Sequence, residues 1–306
     1  MKQINITGGL KGHISALVSI VIWGITFVAT TILLREFIPA EILFFRFAIA
    51  LIALTLVYPR RLKGTNLKQE LYFMAAGLCV TLYFMLEIIA LTLTSASNVG
   101  VIVSAAPFLT ALLANWFLDG EKPGANFFIG FISAIIGIAL ISFNGITAPE
   151  LNPIGDLLAF LAAVVWAVYS IVVRKISKFG HNTIQTTRRI FVYGIVAMLP
   201  FMLLFPFEFG AERFTQSANI VSILFLGLGA SALCFVAWNF AVRVLGAVKT
   251  SVYIYLGPVV TVVTSVLVLS ERLTWMLVLG TALILSGLVI SEKKPKETTA
   301  CSETKN

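Results

Sequence analysis

The two halves of the chain repeat the same residues at nearly constant separations. Pairs near the start of each half lie 143 positions apart, and later pairs lie 151 and then 150 positions apart. The pairs are Gly12/Gly155, Ala16/Ala159, Trp23/Trp166, Arg46/Arg189, Ala90/Ala241, Ala96/Ala247, Pro107/Pro258, Thr110/Thr261, Glu121/Glu271, Gly130/Gly280 and Gly137/Gly287. The chain is therefore a duplication, which constrains the fold more than any local pattern. Each copy contains five apolar spans, and an odd number of membrane crossings makes the second copy enter from the opposite side.

Composition supports a membrane protein. Hydrophobic residues make up 59% of the chain and charged residues 12%, compared with about 25% charged residues in soluble domains. Ten segments approach the roughly 20 apolar residues that a spanning helix needs. They are Ile14–Leu34, Ala40–Val57, Glu70–Leu93, Ala96–Leu118, Asn126–Phe143, Pro153–Val173, Thr183–Phe205, Asn219–Val242, Val248–Leu269 and Leu273–Ile290. The predicted fold class is an all-α integral membrane protein with ten transmembrane helices arranged as two inverted five-helix repeats.

The basic residues predict the orientation. Sixteen of the 22 Lys and Arg residues fall on one side of the predicted spans, when Lys249 at the very start of the ninth span is counted with that side; three fall on the other side and three well within spans. The positive-inside rule then places both termini in the cytoplasm, with the plasma (bacterial inner) membrane as the location. Charge confined to loops and tails is typical of membrane orientation and does not predict a nucleic-acid partner. The lipid bilayer is the predicted surrounding.

Four regions follow from these spans. Residues 1–13 form a cytoplasmic segment, residues 14–145 the first five-helix repeat and residues 146–291 the second. Residues 292–306 form a basic cytoplasmic tail that is polar and aperiodic, so it is predicted to be disordered.

The sequence offers little for catalysis. The three cysteines are far apart, the two histidines lie at predicted helix ends, and no HExxH motif or P-loop occurs. We therefore predict no catalytic residue, no metal site and no cofactor. An intramembrane enzyme is only a remote alternative among the functions that the sequence allows.

Several motifs recur in order along the two copies. They are Trp23-Gly24, Pro39 with Arg46-Phe47, the segments ALTLTSASNVGVIVSAAP and AVRVLGAVKTSVYIYLGP, and the closing segments LDGEKPG…GFISAIIG and LSERLTW…GTALILSG. This set resembles the EamA-type members of the drug/metabolite transporter superfamily. The resemblance covers about residues 12 to 291. The second copy departs from it where Ala167 follows the tryptophan and where a Pro-x6-Arg entry is lacking.

The resemblance implies a secondary transporter (permease) that moves a small-molecule substrate by alternating access. It favours an amino acid or related metabolite, and efflux as the direction. A nucleotide-sugar or drug transporter and an uncoupled facilitator stay open, as do proton coupling and a homodimer. A passive channel is disfavoured because no ring of charges is visible.

Charged residues within spans are costly and mark candidate functional positions. Arg46 and Arg189 occupy matching depths from opposite faces, and we expect them to act in gating or packing, with contact to an anionic substrate group as the alternative. Arg188 is expected to snorkel towards the interface, with capping of carbonyl groups of a neighbouring helix as the alternative. Glu87 is the one carboxylate well inside a span and has no counterpart in the second copy. It is interpreted either as a partner of Arg46 or as a site for a proton or a cationic substrate group.

Pro107 and Pro258 fall in the middle of the fourth and ninth predicted spans. A proline there removes a backbone hydrogen bond, so both are predicted helix kinks beside a cavity. In helices 5 and 10, glycines recur at a spacing of seven and predict close helix packing: Gly130, Gly137, Gly280 and Gly287.

Aromatic and polar side chains concentrate on the same helices and form the predicted substrate cavity. Three tryptophans lie near the middle of spans, where interface anchoring does not explain them. The cavity candidates are Trp23, Thr26, Phe27, Tyr83, Glu87, Trp166, Tyr169, Ser170, Trp238, Asn239, Tyr253 and Tyr255. The resemblance implies that helices 1, 3, 4, 6, 8 and 9 line this cavity.

Overall fold

The described part of the chain consists of helices joined by short loops. A computed structural model describes residues 6–93, 99, 102–120, 123–142, 152–204, 210–260 and 275–292, and no β-strand occurs in these ranges. Its helices are α1 (Ile6–Leu33), α2 (Pro39–Val57), α3 (Leu67–Leu93), α4 (Ala106–Phe117), α5 (Ala125–Ser142), α6 (Pro153–Ser177), α7 (Thr183–Leu204), α8 (Ser217–Leu245), α9 (Ala247–Val260) and α10 (Trp275–Glu292). The predicted disorder of the tail concerns residues after 292, which lie outside these ranges.

Membrane-spanning length and composition are found in six of the described helices. These are α2, α3, α6, α7, α8 and the Gly8–Thr26 part of α1, and four described helices are shorter and apolar. Large apolar side chains point outward, including Leu56, Trp116 and Leu203, each more than 70% exposed. Such surfaces suit lipid, so the prediction of an all-α integral membrane protein is confirmed.

Helix pairs from the two halves of the chain pack side by side. The start of α1 lies against the end of α8, where a Cβ added at Gly12 would stand 2.9 Å from Leu245. The end of α2 lies against the start of α7, since Gln185 donates to the carbonyl oxygen of Arg60 at 3.1 Å. The core therefore forms between the halves.

Glycines permit the closest of these contacts. A Cβ added at Gly137 would lie 2.5 Å from the Gly280 carbonyl oxygen, and one added at Gly287 would lie 2.5 Å from that of Gly130. Ser133 adds a hydrogen bond from its hydroxyl to the Leu283 carbonyl at 2.9 Å. The predicted small-residue packing of helices 5 and 10 is thus found between α5 and α10 of one chain.

Neither of the two prolines predicted as helix kinks lies in the interior of a regular α-helix. Pro107 lies in the first turn of α4, after a turn in which the Ala105 N–H bonds to Ile102 at 3.0 Å. Its missing N–H costs nothing there because first-turn donors lack helical acceptors. Pro258 follows a 3-10 segment, Val252–Tyr255, inside α9. Each proline is therefore preceded by a tighter turn, and at Pro107 the helix is broken.

The middle of α8 adopts an uncommon form. Residues Phe225–Leu233 are a π-helix that continues directly into α-helix at Cys234. π-Helical turns leave side chains and carbonyl groups at positions that a regular helix would not give, and they are frequent at functional sites. No sequence pattern predicted it.

Candidate functional site

An aromatic cluster lies at the centre of the helices. Trp23 of α1 contacts Trp166 and Trp238, with ring centroids 5.4 and 5.2 Å apart, and Tyr83 contacts Trp166 at 4.8 Å. Phe235 of α8 lies 5.4 Å from Trp23. Rings at these distances attract one another through edge-to-face and offset contacts. The structure thus brings together side chains of α1, α3, α6 and α8.

Two tryptophans of this cluster hold buried N–H groups. Trp166 and Trp238 are 4% and 1% exposed, and neither indole nitrogen has an acceptor among the described residues. Trp23, in contrast, donates to the carbonyl oxygen of Ala230 in the π-helix at 2.8 Å. An unsatisfied buried donor costs about 1–3 kcal/mol, so two of them beside each other are suited to a ligand with acceptor atoms.

Glu87 adjoins the cluster through Tyr83. The Tyr83 hydroxyl donates to Oε1 of Glu87 at 2.6 Å, one helical turn away. Arg46 donates from Nε to the Ser231 hydroxyl at 3.0 Å, and its guanidinium lies 4.0 Å from the Phe84 ring centroid. Arg46 and Glu87 do not form the ion pair that was one of the two interpretations. The structure describes both side chains, and no nitrogen of Arg46 lies within 4.0 Å of an oxygen of Glu87.

A second polar group connects three helices. Tyr169 of α6 donates to Oδ1 of Asn239 in α8 at 3.0 Å, and Asn239 donates to Thr187 in α7 at 3.0 Å. Asn239 also lines a narrow crevice that reaches His181 and Arg243 at the ends of these helices. Since Tyr169 contacts Trp166 at 5.3 Å, the crevice leads towards the aromatic cluster.

The remaining cavity candidates lie apart or bond locally. Tyr253 contacts His13 at a helix end, with Nδ1 and the hydroxyl 2.5 Å apart, and Tyr255 lies near Phe131 of α5, 6.5 Å between centroids. Thr26 and Ser170 donate to carbonyl groups of Trp23 and Trp166 in their own helices. The side chain of Phe27 lies outside the described residues.

The arginines of α7 hold one end of the bundle. Arg189 bonds to Glu70 of α3 through two nitrogens at 2.7 and 3.0 Å, and Tyr193 donates to the same carboxylate at 2.6 Å. Arg188 donates to the carbonyl oxygens of Tyr58 and Arg60 after α2. Arg188 therefore caps the end of a neighbouring helix, which was the alternative to snorkelling. We name the contacts of Arg188 and Arg189 the Arg189 end.

The opposite end has an ion pair that sequence reasoning missed. Arg213 donates to both oxygens of Glu41 at 2.9 and 3.1 Å, and Glu41 is fully buried. Arg213 also donates to the Glu36 carbonyl, while Asn219 donates to the Glu36 carboxylate at 2.8 Å. The one available signal was an acid in the first turn after Pro39. We name these contacts the Arg213 end.

The apolar helices define a helical membrane protein, and comparison with known proteins specifies the family. The model of the EamA-like transporter family matches residues 10–143 and again residues 153–292. The chain belongs to the EamA-like transporter family.

Two relatives carry transporter names, and a solved structure shares the fold. An uncharacterized transporter of Archaeoglobus fulgidus is 24% identical over 93% of this chain and 98% of its own length. A probable amino-acid metabolite efflux pump of Escherichia coli is 24% identical over 92% of this chain and 94% of its own length. A crystal structure shares the fold with a TM-score of 0.72 at 19% identity, over 92% of this chain and 96% of that one. These names describe transporters and not enzymes.

Proposed function

We propose that this chain transports a small organic metabolite, an amino acid or related compound first of all, by alternating access and in the direction of efflux. The Escherichia coli relative with the efflux-pump name supports this choice of solute. The observation that carries it is the pair of unpaired indole N–H groups, Trp166 and Trp238, in a central aromatic cluster. Such a site offers apolar area for a side chain and donors for a polar group.

The architecture we propose is two inverted five-helix repeats, residues 14–145 and 146–291. The two stretches matched by the family model support it. So do Gly77 and Gly227, which are 150 positions apart: a Cβ at Gly77 would crowd Tyr193 of α7, and one at Gly227 would crowd Ile49 of α2. One glycine thus permits close packing of α3 on α7, and the other permits close packing of α8 on α2. In an inverted repeat α3 corresponds to α8 and α2 to α7, so the two contacts correspond as well.

The Arg189 end and the Arg213 end are the two gates in this proposal. Each links the first half of the chain to the second, through Arg189 with Glu70 and through Arg213 with Glu41. Rocking of one repeat against the other would open one end while the other stays joined.

We place both termini in the cytoplasm, supported by the sixteen-to-three distribution of basic residues. The Arg189 end, near the start of α1, then faces the cytoplasm. A membrane-impermeant thiol reagent should label Cys301 in inverted vesicles and not in intact cells, with Cys79 and Cys234 replaced by alanine. Labelling in intact cells would reverse the orientation.

Flux measurements test the function. Purified protein in proteoliposomes is assayed with labelled amino acids, with and without an imposed proton gradient. Trp166→Phe and Trp238→Phe keep an aromatic ring and remove the N–H, so each should reduce transport about 2- to 10-fold, the equivalent of one hydrogen bond. Trp116→Phe is the matched control because Trp116 is 73% exposed on the outer surface. Absence of flux for every amino acid would overturn the proposed solute class, and equal loss in the control would overturn the site.

A further inference from the structure

Glu87 faces a space inside the helix bundle. On α3, Leu71, Met74 and Leu78 are exposed at 50%, 47% and 45% and mark the outer face. Glu87 follows Leu78 by nine residues, which at about 100° per residue puts it about 180° away. Its neighbour Tyr83, one turn earlier, is buried, yet Glu87 itself is partly accessible. That accessible surface therefore belongs to the interior and not to the lipid-facing side.

Trp23 of α1 shows the same pattern from the other side of the cluster. Ile14 is 51% exposed, and Trp23 follows it by nine residues, again about 180° around the helix. Trp23 is partly accessible and contacts Trp166, which contacts Tyr83. Two helices thus present partly accessible side chains to one interior region, beside the unpaired indole donors.

Two opposite charges border this region without touching. Glu87 receives one hydrogen bond, from Tyr83 to Oε1, and its Oε2 has no partner among the described residues. Arg46 bonds through Nε to Ser231, and its two terminal nitrogens make no hydrogen bond in the described part of the chain. Arg46 is 3% exposed, and its guanidinium lies 4.0 Å from the ring centroid of Phe84. The Phe84 ring lies 4.9 Å from that of Tyr83, which bonds to Glu87. Each charged side chain thus has polar atoms without a described partner beside the aromatic cluster, and a charge inside a protein that lacks a partner is costly.

The opposite charges of Arg46 and Glu87 together indicate which ligand fits this region. A purely cationic solute at Glu87 would be repelled by Arg46, and a purely anionic solute at Arg46 would be repelled by Glu87. A solute with both charges supplies a partner to each residue and leaves the site neutral. The rings of Tyr83 and Trp166, 4.8 Å apart, add a favourable surface for an ammonium group.

We infer that Arg46 and Glu87 are the two halves of one zwitterion site, with the substrate's carboxylate at the Arg46 guanidinium and its ammonium group at the Glu87 carboxylate. This rests on the proposed function, and it specifies the orientation of the substrate and the charges it must carry. The aromatic cluster then accommodates the substrate's side chain, so a large apolar side chain fits best.

Three probes with one side chain test the inference: phenylalanine, its amide, which is a cation, and N-acetylphenylalanine, which is an anion. Each is assayed in proteoliposomes at a pH where the amine of the amide is protonated. We expect phenylalanine to be transported at least about 10-fold faster than either derivative, because each derivative loses a hydrogen bond between charged groups. Equal transport of either derivative by the wild-type protein overturns the inference, with no variant needed.

Two variants then test the orientation. Arg46→Gln should bring the rate for phenylalanine towards that for the amide, and Glu87→Gln should bring it towards that for the N-acetyl compound. Arg46→Lys and Glu87→Asp keep the charge and should keep the wild-type preference for phenylalanine. These two variants also provide a test if a neutral variant does not fold. The reverse pattern overturns the orientation.

Failure of the two proposals is distinguishable. Transport of other amino acids without preference for the zwitterion overturns the site and leaves the transporter. Lack of flux with every probe and every amino acid overturns the proposed solute class and the zwitterion site together.

Discussion

Glu41 illustrates how a charged side chain can be held in a membrane protein. It is fully buried, receives two hydrogen bonds from Arg213 and also accepts from the backbone N–H of Ile38 at the start of α2. Glu70 has a similar arginine partner, but the Arg189 side chain is 39% exposed. Because water screens the second pair and not the first, the two should differ in strength.

A double-mutant cycle measures this difference. Arg213→Met and Glu41→Gln should each lower stability by about 3 kcal/mol, since each leaves a buried charge unpaired. The double variant should recover part of that loss. The cycle of Arg189→Met with Glu70→Gln should give a coupling of about 1 kcal/mol or less. Thermal unfolding of the purified protein reports all six variants, and additive losses at Arg213 and Glu41 would contradict a coupled pair.

The sequence predicted which residues are central better than it predicted their partners. The repeat placed Trp23 and Trp166 at matching positions, and the structure brings them within 5.4 Å. The predicted contact between Arg46 and Glu87 is not formed, because Arg46 instead donates a hydrogen bond to Ser231 in the π-helix. Side-chain direction there depends on backbone winding, which apolar periodicity does not encode.

At the scale of elements, α9 shows which features the sequence predicts and which it does not. Its apolar run predicted a helix, and Tyr253 and Tyr255 were both predicted to line the cavity. Residues two apart lie about 200° apart around an α-helix and about 240° apart around a 3-10 helix, so these two side chains meet different neighbours. Tyr253 contacts His13, and Tyr255 lies near Phe131 of α5.

Close contacts between elements allow a sharper prediction. A Cβ at Gly77 would stand 2.6 Å from the Cβ of Tyr193 and 2.7 Å from the Gly194 nitrogen, and one at Gly227 would stand 2.6 Å from Ile49. Gly77→Ala and Gly227→Ala should therefore destabilise the protein by about 1–3 kcal/mol. Gly229→Ala is the matched control in α8, since its nearest neighbour would be 3.6 Å away. Thermal unfolding of the purified variants measures these losses of stability. An equal loss in Gly229→Ala would contradict tight packing at Gly227.

At the scale of the whole molecule, both ends of the bundle are joined by polar contacts between its halves. Glu36 meets Asn219 at the Arg213 end, and Gln69 meets His181 at 3.1 Å beside the Arg189 end. The aromatic cluster lies between the two ends. The proposed alternating access therefore requires that these contacts separate in turn, with motion at both ends.

Cross-linking tests that requirement. In a protein whose native cysteines are replaced, the pair Glu36→Cys with Asn219→Cys joins one end, and Gln69→Cys with His181→Cys joins the other. A short, reducible thiol cross-linker should abolish transport in proteoliposomes for either pair, because each link prevents one end from opening, and reduction should restore it. The four single-cysteine variants treated with the same reagent control for modification alone. Complete cross-linking with undiminished transport at one end would show that the solute does not pass through that end, and alternating access between the two gates would then be wrong.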